Sequence, residues 1–103
     1  MLRENVSLTL TEIKDYLKIE YDEDDSLLEM LLDGACEAAE NYMNRDFYGE
    51  IVPATVEKWI LKRIARDYEA RIEGETEERL GDESMRFAED FSDIAPYRLF
   101  PGL

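Results

Sequence analysis

Apolar residues recur at steps of three and four along most of the chain, which is the spacing of one buried helical face. This pattern predicts four helices, at about residues 9–18, 23–45, 53–73 and 83–94. No segment shows the sustained apolar–polar alternation that is typical of a strand. Because the second and third helices are joined by a short connection, we expect them to be antiparallel neighbours. The predicted fold is a small all-α domain with two long antiparallel helices, a short helix at each end and an extended tail over residues 95–103.

The predicted helices begin with recognisable local signals. Thr9-Leu10-Thr11-Glu12 is a capping box, in which Thr9 and Glu12 satisfy each other's free backbone amides. Asp22 is the expected N-cap of the second helix. Pro53 suits the first turn of the third helix, where its missing N–H costs no hydrogen bond. Two prolines in the last eight residues favour an extended tail.

The composition narrows the range of functions. The chain has 103 residues, 12 Lys and Arg against 26 Asp and Glu, and a net charge of −14. This length supports a single domain over residues 1–103. The acidic balance excludes binding of nucleic-acid phosphates as the main activity and opposes docking to an anionic membrane. No secretory signal or apolar run of membrane-spanning length is present, so the cytoplasm is the simplest compartment.

Few residues could carry catalytic or metal chemistry. The chain has no His and a single Cys, so it lacks an imidazole base, a Cys-rich zinc site and an internal disulfide. Asp22, Asp24 and Ser26 follow calcium-loop spacing, but Leu27 stands where that loop requires Gly. We expect Cys36 to be a small buried core residue. The commonest tools of enzyme chemistry are therefore missing, and the sequence offers no candidate catalytic residue, cofactor site or metal site.

Charge is distributed unevenly between the two long helices. Residues 20–50 contain eleven acids and one base, whereas residues 57–71 contain five bases and three acids. Lys58, Lys62 and Arg66 follow one another at steps of four and form a basic stripe. This stripe either pairs with the acidic helix of the same chain or meets the acids of a neighbouring copy, which builds a ring if the rotation closes. The candidates for a subunit interface are Lys58, Trp59, Lys62, Arg66, Glu29 and Asp33.

Two aromatic features leave alternatives open. Trp59 falls outside the apolar arc of its helix, so either the C-terminal part of the chain covers it or it anchors a subunit interface. Tyr97, Leu99, Phe100 and Leu103 make the tail apolar. They either fold back onto their own domain or dock onto another protein.

The order of these features resembles the small head–tail connector, or adaptor, proteins of tailed double-stranded DNA phages. The resemblance rests on Leu8-Thr9-Leu10, Glu12-Ile13-Lys14, Tyr16-Leu17-Lys18-Ile19, the acidic turn at residues 22–25, Leu27-Leu28, Leu31-Leu32, Ala35, Ala39, Tyr42, Pro53, Tyr68-Glu69-Ala70-Arg71 and Pro96-Tyr97-Arg98. It implies a structural protein of the virion that is not an enzyme and is made in the host bacterial cytoplasm. It also implies a ring of about twelve copies that lies below the portal and continues the DNA channel towards the tail.

The resemblance further implies the partners of each part of the chain. The C-terminal region reaches towards the portal protein, which makes the portal-contact candidates Pro96, Tyr97, Arg98, Leu99 and Phe100. The polar loop faces the channel lumen or the downstream tail-completion protein, with candidates Glu75, Glu77, Glu78 and Asp82. DNA passes through the channel without sequence-specific binding. The competing interpretation is an acidic interaction protein, a DNA-mimic inhibitor acting as monomer or dimer, which has no need of the basic stripe.

Overall fold

The computed structural model describes residues 1–72 and 90–99, and all regular structure in them is helical. The α-helices are α1 (Leu2–Asn5), α2 (Leu10–Leu17), α3 (Asp25–Met43) and α4 (Ala54–Ile72), followed by two short 3-10 helices at Asp90–Asp93 and Ala95–Tyr97. The predicted all-α class is confirmed. The long helices α3 and α4 pack against each other, and contact between Asp24 and Tyr68 shows that they are antiparallel.

The ends of α2 and α3 agree with the prediction to within two residues. Lys18 and Asn44 adopt left-handed backbone angles, with φ of 61° and 55°, and these terminate α2 and α3. The capping box is confirmed, because the Thr9 hydroxyl accepts from the Glu12 amide and the Glu12 carboxylate accepts from the Thr9 amide, each at 3.2 Å. The short α1 was not predicted.

The prediction that Asp22 is the N-cap of α3 is wrong, because Asp24 occupies that position. Asp22 instead accepts a hydrogen bond from Lys14 Nζ at 2.6 Å, and Asp25 accepts from the same ammonium at 2.9 Å. These hydrogen bonds, the one to Asp22 foremost, raise the pKa of Lys14. Lys14 therefore fastens the acidic turn to α2 and offsets part of its negative charge.

The core lies between α3 and α4 and is closed at one side by α1 and α2. Its members are apolar, and each leaves at most 1% of its surface exposed: Leu2, Ile13, Leu28, Leu32, Ala35, Cys36, Ala39, Met43, Val56, Ile60, Ile64 and Ile94. Burying a side chain of Leu or Ile size is worth about 1.5–3 kcal/mol relative to leaving it in water. Most of these buried side chains are the apolar residues that recur at steps of three and four in the sequence.

The C-terminal segment differs from the predicted helix and extended tail. Residues 83–89 of the predicted fourth helix lie outside the described residues, and residues 90–93 form a 3-10 helix. Ala95–Tyr97 form a second 3-10 helix, with Pro96 in its first turn, and extended backbone begins at Arg98. The Leu99 amide donates to the Met43 carbonyl at 2.7 Å. The tail, as far as Leu99, therefore folds back onto the end of α3.

Candidate functional site

The acidic face of α3 has an intramolecular partner that the sequence did not reveal. Glu29 and Asp33 lie on the flank of α3 nearest α1, with side chains 48% and 66% exposed. Arg3 Nη2 is 3.7 Å from Glu29 Oε2, and Arg3 Nε is 3.3 Å from Asp33 Oδ1. Exposed pairs of this kind contribute about 0–1 kcal/mol each, so both carboxylates stay available to a second protein. Only the position of α1 brings Arg3 to these acids, and a four-residue helix has no detectable periodicity.

The basic stripe of α4 divides into exposed and half-buried members. Lys58 and Lys62 are exposed, whereas Arg66 is half-buried. Lys62 Nζ lies 3.8 Å from Asp93 Oδ2 in the C-terminal segment, with both side chains about half exposed. Arg63, the residue after Lys62, lies over the Trp59 ring, and its Nε is 3.8 Å from Asp67 Oδ2. The part of the stripe that can meet another molecule directly is therefore Lys58 and Lys62.

The alternative that Trp59 anchors a subunit interface is wrong, because the chain itself buries this side chain. Only 3% of Trp59 is exposed. The Phe91 ring stacks on it at 5.1 Å between centroids and stacks on Tyr42 at 4.5 Å on the other side. Phe91 is thus inserted between α3 and α4. The alternative that the C-terminal segment covers Trp59 is confirmed.

The described portal-contact candidates are attached to the C-terminal end of α3. Asn44 Nδ2 donates to the Leu99 carbonyl at 3.0 Å, and Arg45 Nη1 donates to the Tyr97 carbonyl at 3.5 Å. Pro96, Arg98 and Leu99 remain exposed, whereas Tyr97 is half-buried and meets Phe47 edge-on at 6.1 Å. Phe100 lies outside the described residues. A small exposed surface is therefore held in a fixed position on the domain.

The candidates of the polar loop, Glu75, Glu77, Glu78 and Asp82, also lie outside the described residues.

The α3–α4 connection next to the C-terminal segment has a feature that the sequence analysis missed. Tyr48 is 82% exposed and Ile51 is 92% exposed. Their apolar character in a short connection between helices was the available signal, because loops are usually polar.

The described part of the chain does not meet the requirements of a metal site, a membrane-spanning helix or a reactive thiol. Residues 1–72 and 90–99 contain no group of three or more Cys, Asp and Glu side chains placed to hold a metal ion. In the same ranges, no helix combines the length and apolarity needed to cross a bilayer. Cys36 is buried as expected, and burial raises the pKa of its thiol from 9.0 to about 12. It has the properties of a packing residue and not of a nucleophile.

The raised pKa of Cys36 predicts loss of stability at alkaline pH. Below pH 9 the thiol is protonated in both the folded and the unfolded chain, so its ionisation does not lower the free energy of unfolding. Between pH 9 and 12 the unfolded chain loses this proton while the folded chain keeps it. The free energy of unfolding should therefore fall by up to about 1.4 kcal/mol per pH unit from this group. Urea titrations at stepwise pH should show a smaller decline for Cys36→Ala than for the wild type, and equal declines would contradict this account.

Comparison with known proteins identifies the family. A family model described as phage gp6-like head-tail connector protein matches residues 7–98, which is most of the chain. The chain therefore belongs to this family of phage head–tail connectors. Comparisons with the curated proteins and with the solved structures give no match.

Proposed function

We propose that this chain forms a ring at the junction of head and tail, below the portal, and continues the DNA channel towards the tail. The observation that carries the proposal is the opposite charge of the two long helices. Helix α3 contains five acids and no base, whereas α4 contains five bases and three acids. Exposed Lys58 and Lys62 of one copy can face Glu29 and Asp33 of the next. Such a heterologous contact repeats around a ring when its rotation closes.

Ring formation would give each chain more buried surface than it has alone. A domain of about 100 residues buries a modest core, and contact with two neighbours adds to the buried surface. The net charge of −14 per chain makes each copy strongly acidic. An acidic channel wall repels DNA phosphates, so that DNA passes without being held. The proposed lumen or tail-side candidates Glu75, Glu77, Glu78 and Asp82 would contribute to this repulsion.

The C-terminal segment is the proposed contact with the portal protein. Its support is the exposed surface of Pro96, Arg98 and Leu99, which hydrogen bonds to Asn44 and Arg45 fix against α3. A fixed segment binds with little loss of conformational entropy. The downstream tail-completion protein then meets the opposite end of the ring.

A phage that cannot make this chain tests the proposal. If the chain joins head to tail after packaging, the mutant should accumulate heads and free tails but no joined particles. Electron microscopy of lysates gives this readout, and supplying the wild-type chain from a plasmid should restore joined particles. Particles with attached tails in the absence of the chain would contradict the proposal.

A further inference from the structure

We propose that residues 46–51, here called the α3–α4 turn, dock through Tyr48 and Ile51 into an apolar recess of the same partner that the C-terminal segment binds. This inference rests on the proposed function, in which that partner is the portal protein. The recess should be rimmed by Lys or Arg side chains.

Among the side chains of residues 1–70 and 91–99, Tyr48 and Ile51 are the most exposed large apolar ones, at 82% and 92%. A single exposed apolar residue is ordinary on a protein surface. Two of them lie three residues apart in one short connection, and each has little contact with its own domain. Aromatic and large aliphatic side chains of this kind supply most of the binding energy when they enter a pocket.

Hydrogen bonds and one buried side chain hold residues 46–50 of the turn. Phe47 is 4% exposed and packs into the core, which attaches the turn to the domain. The Tyr48 amide donates to Asp46 Oδ1 at 2.9 Å, and the Glu50 amide donates to the Phe47 carbonyl at 2.8 Å. Gly49 supplies the positive φ of 75° that the turn requires. A preformed turn of this kind presents its side chains without an ordering cost on binding.

One side chain connects the turn to the C-terminal segment. Arg45 lies 4.1 Å above the Phe47 ring, pairs with Glu50 at 3.2 Å and donates to the Tyr97 carbonyl. The turn and the exposed Leu99 therefore stand on the same end of α3. A partner that covers Leu99 is positioned to cover the turn as well.

The charge around the turn decides between a second copy and a different protein. The Glu50 side chain is 59% exposed and pairs with Arg45 at 3.2 Å. Asp46 and nearby Glu4, 36% and 76% exposed, both pair with the N-terminal ammonium of Met1, at 3.4 and 3.9 Å. Three carboxylates therefore share two cations, and the surface around the turn keeps a net negative charge. The Tyr48 amide, which donates to Asp46, lowers the pKa of that carboxyl, so it stays charged. Two copies meeting through this turn would oppose like charges, which is unfavourable at an interface. The acidic rim fits a partner with basic side chains around its recess.

The test compares binding of three assembled variants to the purified portal protein by surface plasmon resonance. Y48S/I51S removes the apolar pair, R98S/L99S alters the C-terminal segment, and Tyr16→Ser is the control. Tyr16 is 51% exposed but lies on α2, away from this end of α3. We expect Y48S/I51S to weaken binding at least 100-fold, while Tyr16→Ser binds within twofold of the wild type. Because the replaced side chains are exposed, Y48S/I51S should unfold within a few degrees of the wild type.

The outcomes separate this inference from the proposed function. If R98S/L99S binds poorly and Y48S/I51S binds normally, the turn is not a docking element and the proposed function stands. If Y48S/I51S loses its self-association, the turn is a contact between copies and the inference is overturned. If the wild-type chain fails to bind the portal, the proposed portal contact and this inference both fall. A photoreactive residue at position 48 should cross-link to the portal chain, and cross-linking to a second copy would contradict the inference.

Discussion

Exchange of Lys58 and Lys62 for Glu is expected to abolish self-association while leaving the helical domain folded. Both side chains are exposed on α4, so the change removes no core contact. In the proposed ring, each side chain faces acids of the neighbouring copy. Reversal converts attraction into repulsion at every interface of the ring at once, and opposed like charges at an interface cost several kcal/mol.

The same exchange should change the stability of the single chain only slightly. Among the residues that the structure describes, the intramolecular ion pair that it removes is Lys62–Asp93, a half-exposed contact at 3.8 Å. Such pairs contribute about 0–1 kcal/mol. Thermal unfolding by circular dichroism should therefore show a transition close to that of the wild type. The assembled mass, measured by light scattering, should fall to that of one chain.

Two further variants make this prediction specific. Lys18→Glu makes the chain more acidic at the exposed C-cap of α2 and should leave assembly unchanged. Combining K58E/K62E with E29K/D33K places opposite charges on the two faces again and should restore part of the assembly. Wild-type assembly of K58E/K62E at every salt concentration would show that α4 is not a subunit interface.

Phe91→Ala is expected to destabilise the domain by about 2–4 kcal/mol and to release the C-terminal segment. Phe91 fills the space between Tyr42 and Trp59, at 4.5 Å and 5.1 Å from their ring centroids. Truncating a buried Phe to Ala costs about 3–5 kcal/mol, and Phe91 is only half-buried. Stacked aromatic pairs add about 0.5–1.5 kcal/mol each beyond the buried area.

Trp59 reports this change directly, because it is the only Trp in the chain. In the wild type its ring is 3% exposed, so its fluorescence should be that of a buried indole. Phe91→Ala should shift the emission to longer wavelength and make it accessible to acrylamide. Phe91→Leu keeps an apolar side chain in the space and should show a smaller effect. Wild-type emission and stability in Phe91→Ala would contradict the packing of the C-terminal segment on Trp59.

Local sequence signals predicted the helical framework well. The apolar spacing of Leu28, Leu32 and Ala39 placed α3 to within two residues at each end, because the buried face of a helix follows its 3.6-residue repeat. The capping box at Thr9 and Glu12 located the start of α2. Asp22 and Asp24 lie in one acidic turn, and neither side chain caps α3. The Asp22 carboxylate accepts from Lys14 and the Asp24 carboxylate accepts from Tyr68, so both make tertiary contacts that local sequence does not reveal.

The candidate surfaces were harder to predict, since they depend on contacts between distant segments. Trp59 was recognised as unusual, but its cover by Phe91 depends on how the last residues return to the helices. Arg3 neutralises part of α3 only because α1 packs there. The exposure of Tyr48 and Ile51 follows from the path of a tight turn. In contrast, the opposite charges of α3 and α4 are readable directly from the sequence.

The native mass of the wild-type protein at low and moderate salt tests the central claim most directly. We expect native mass spectrometry to show one closed species of about twelve chains at low salt. Added salt should dissociate it, because screening weakens contacts between exposed charges. A dimer that resists salt would contradict the ring and favour an acidic inhibitor instead. A single chain at all concentrations, with and without the portal protein, would also contradict it.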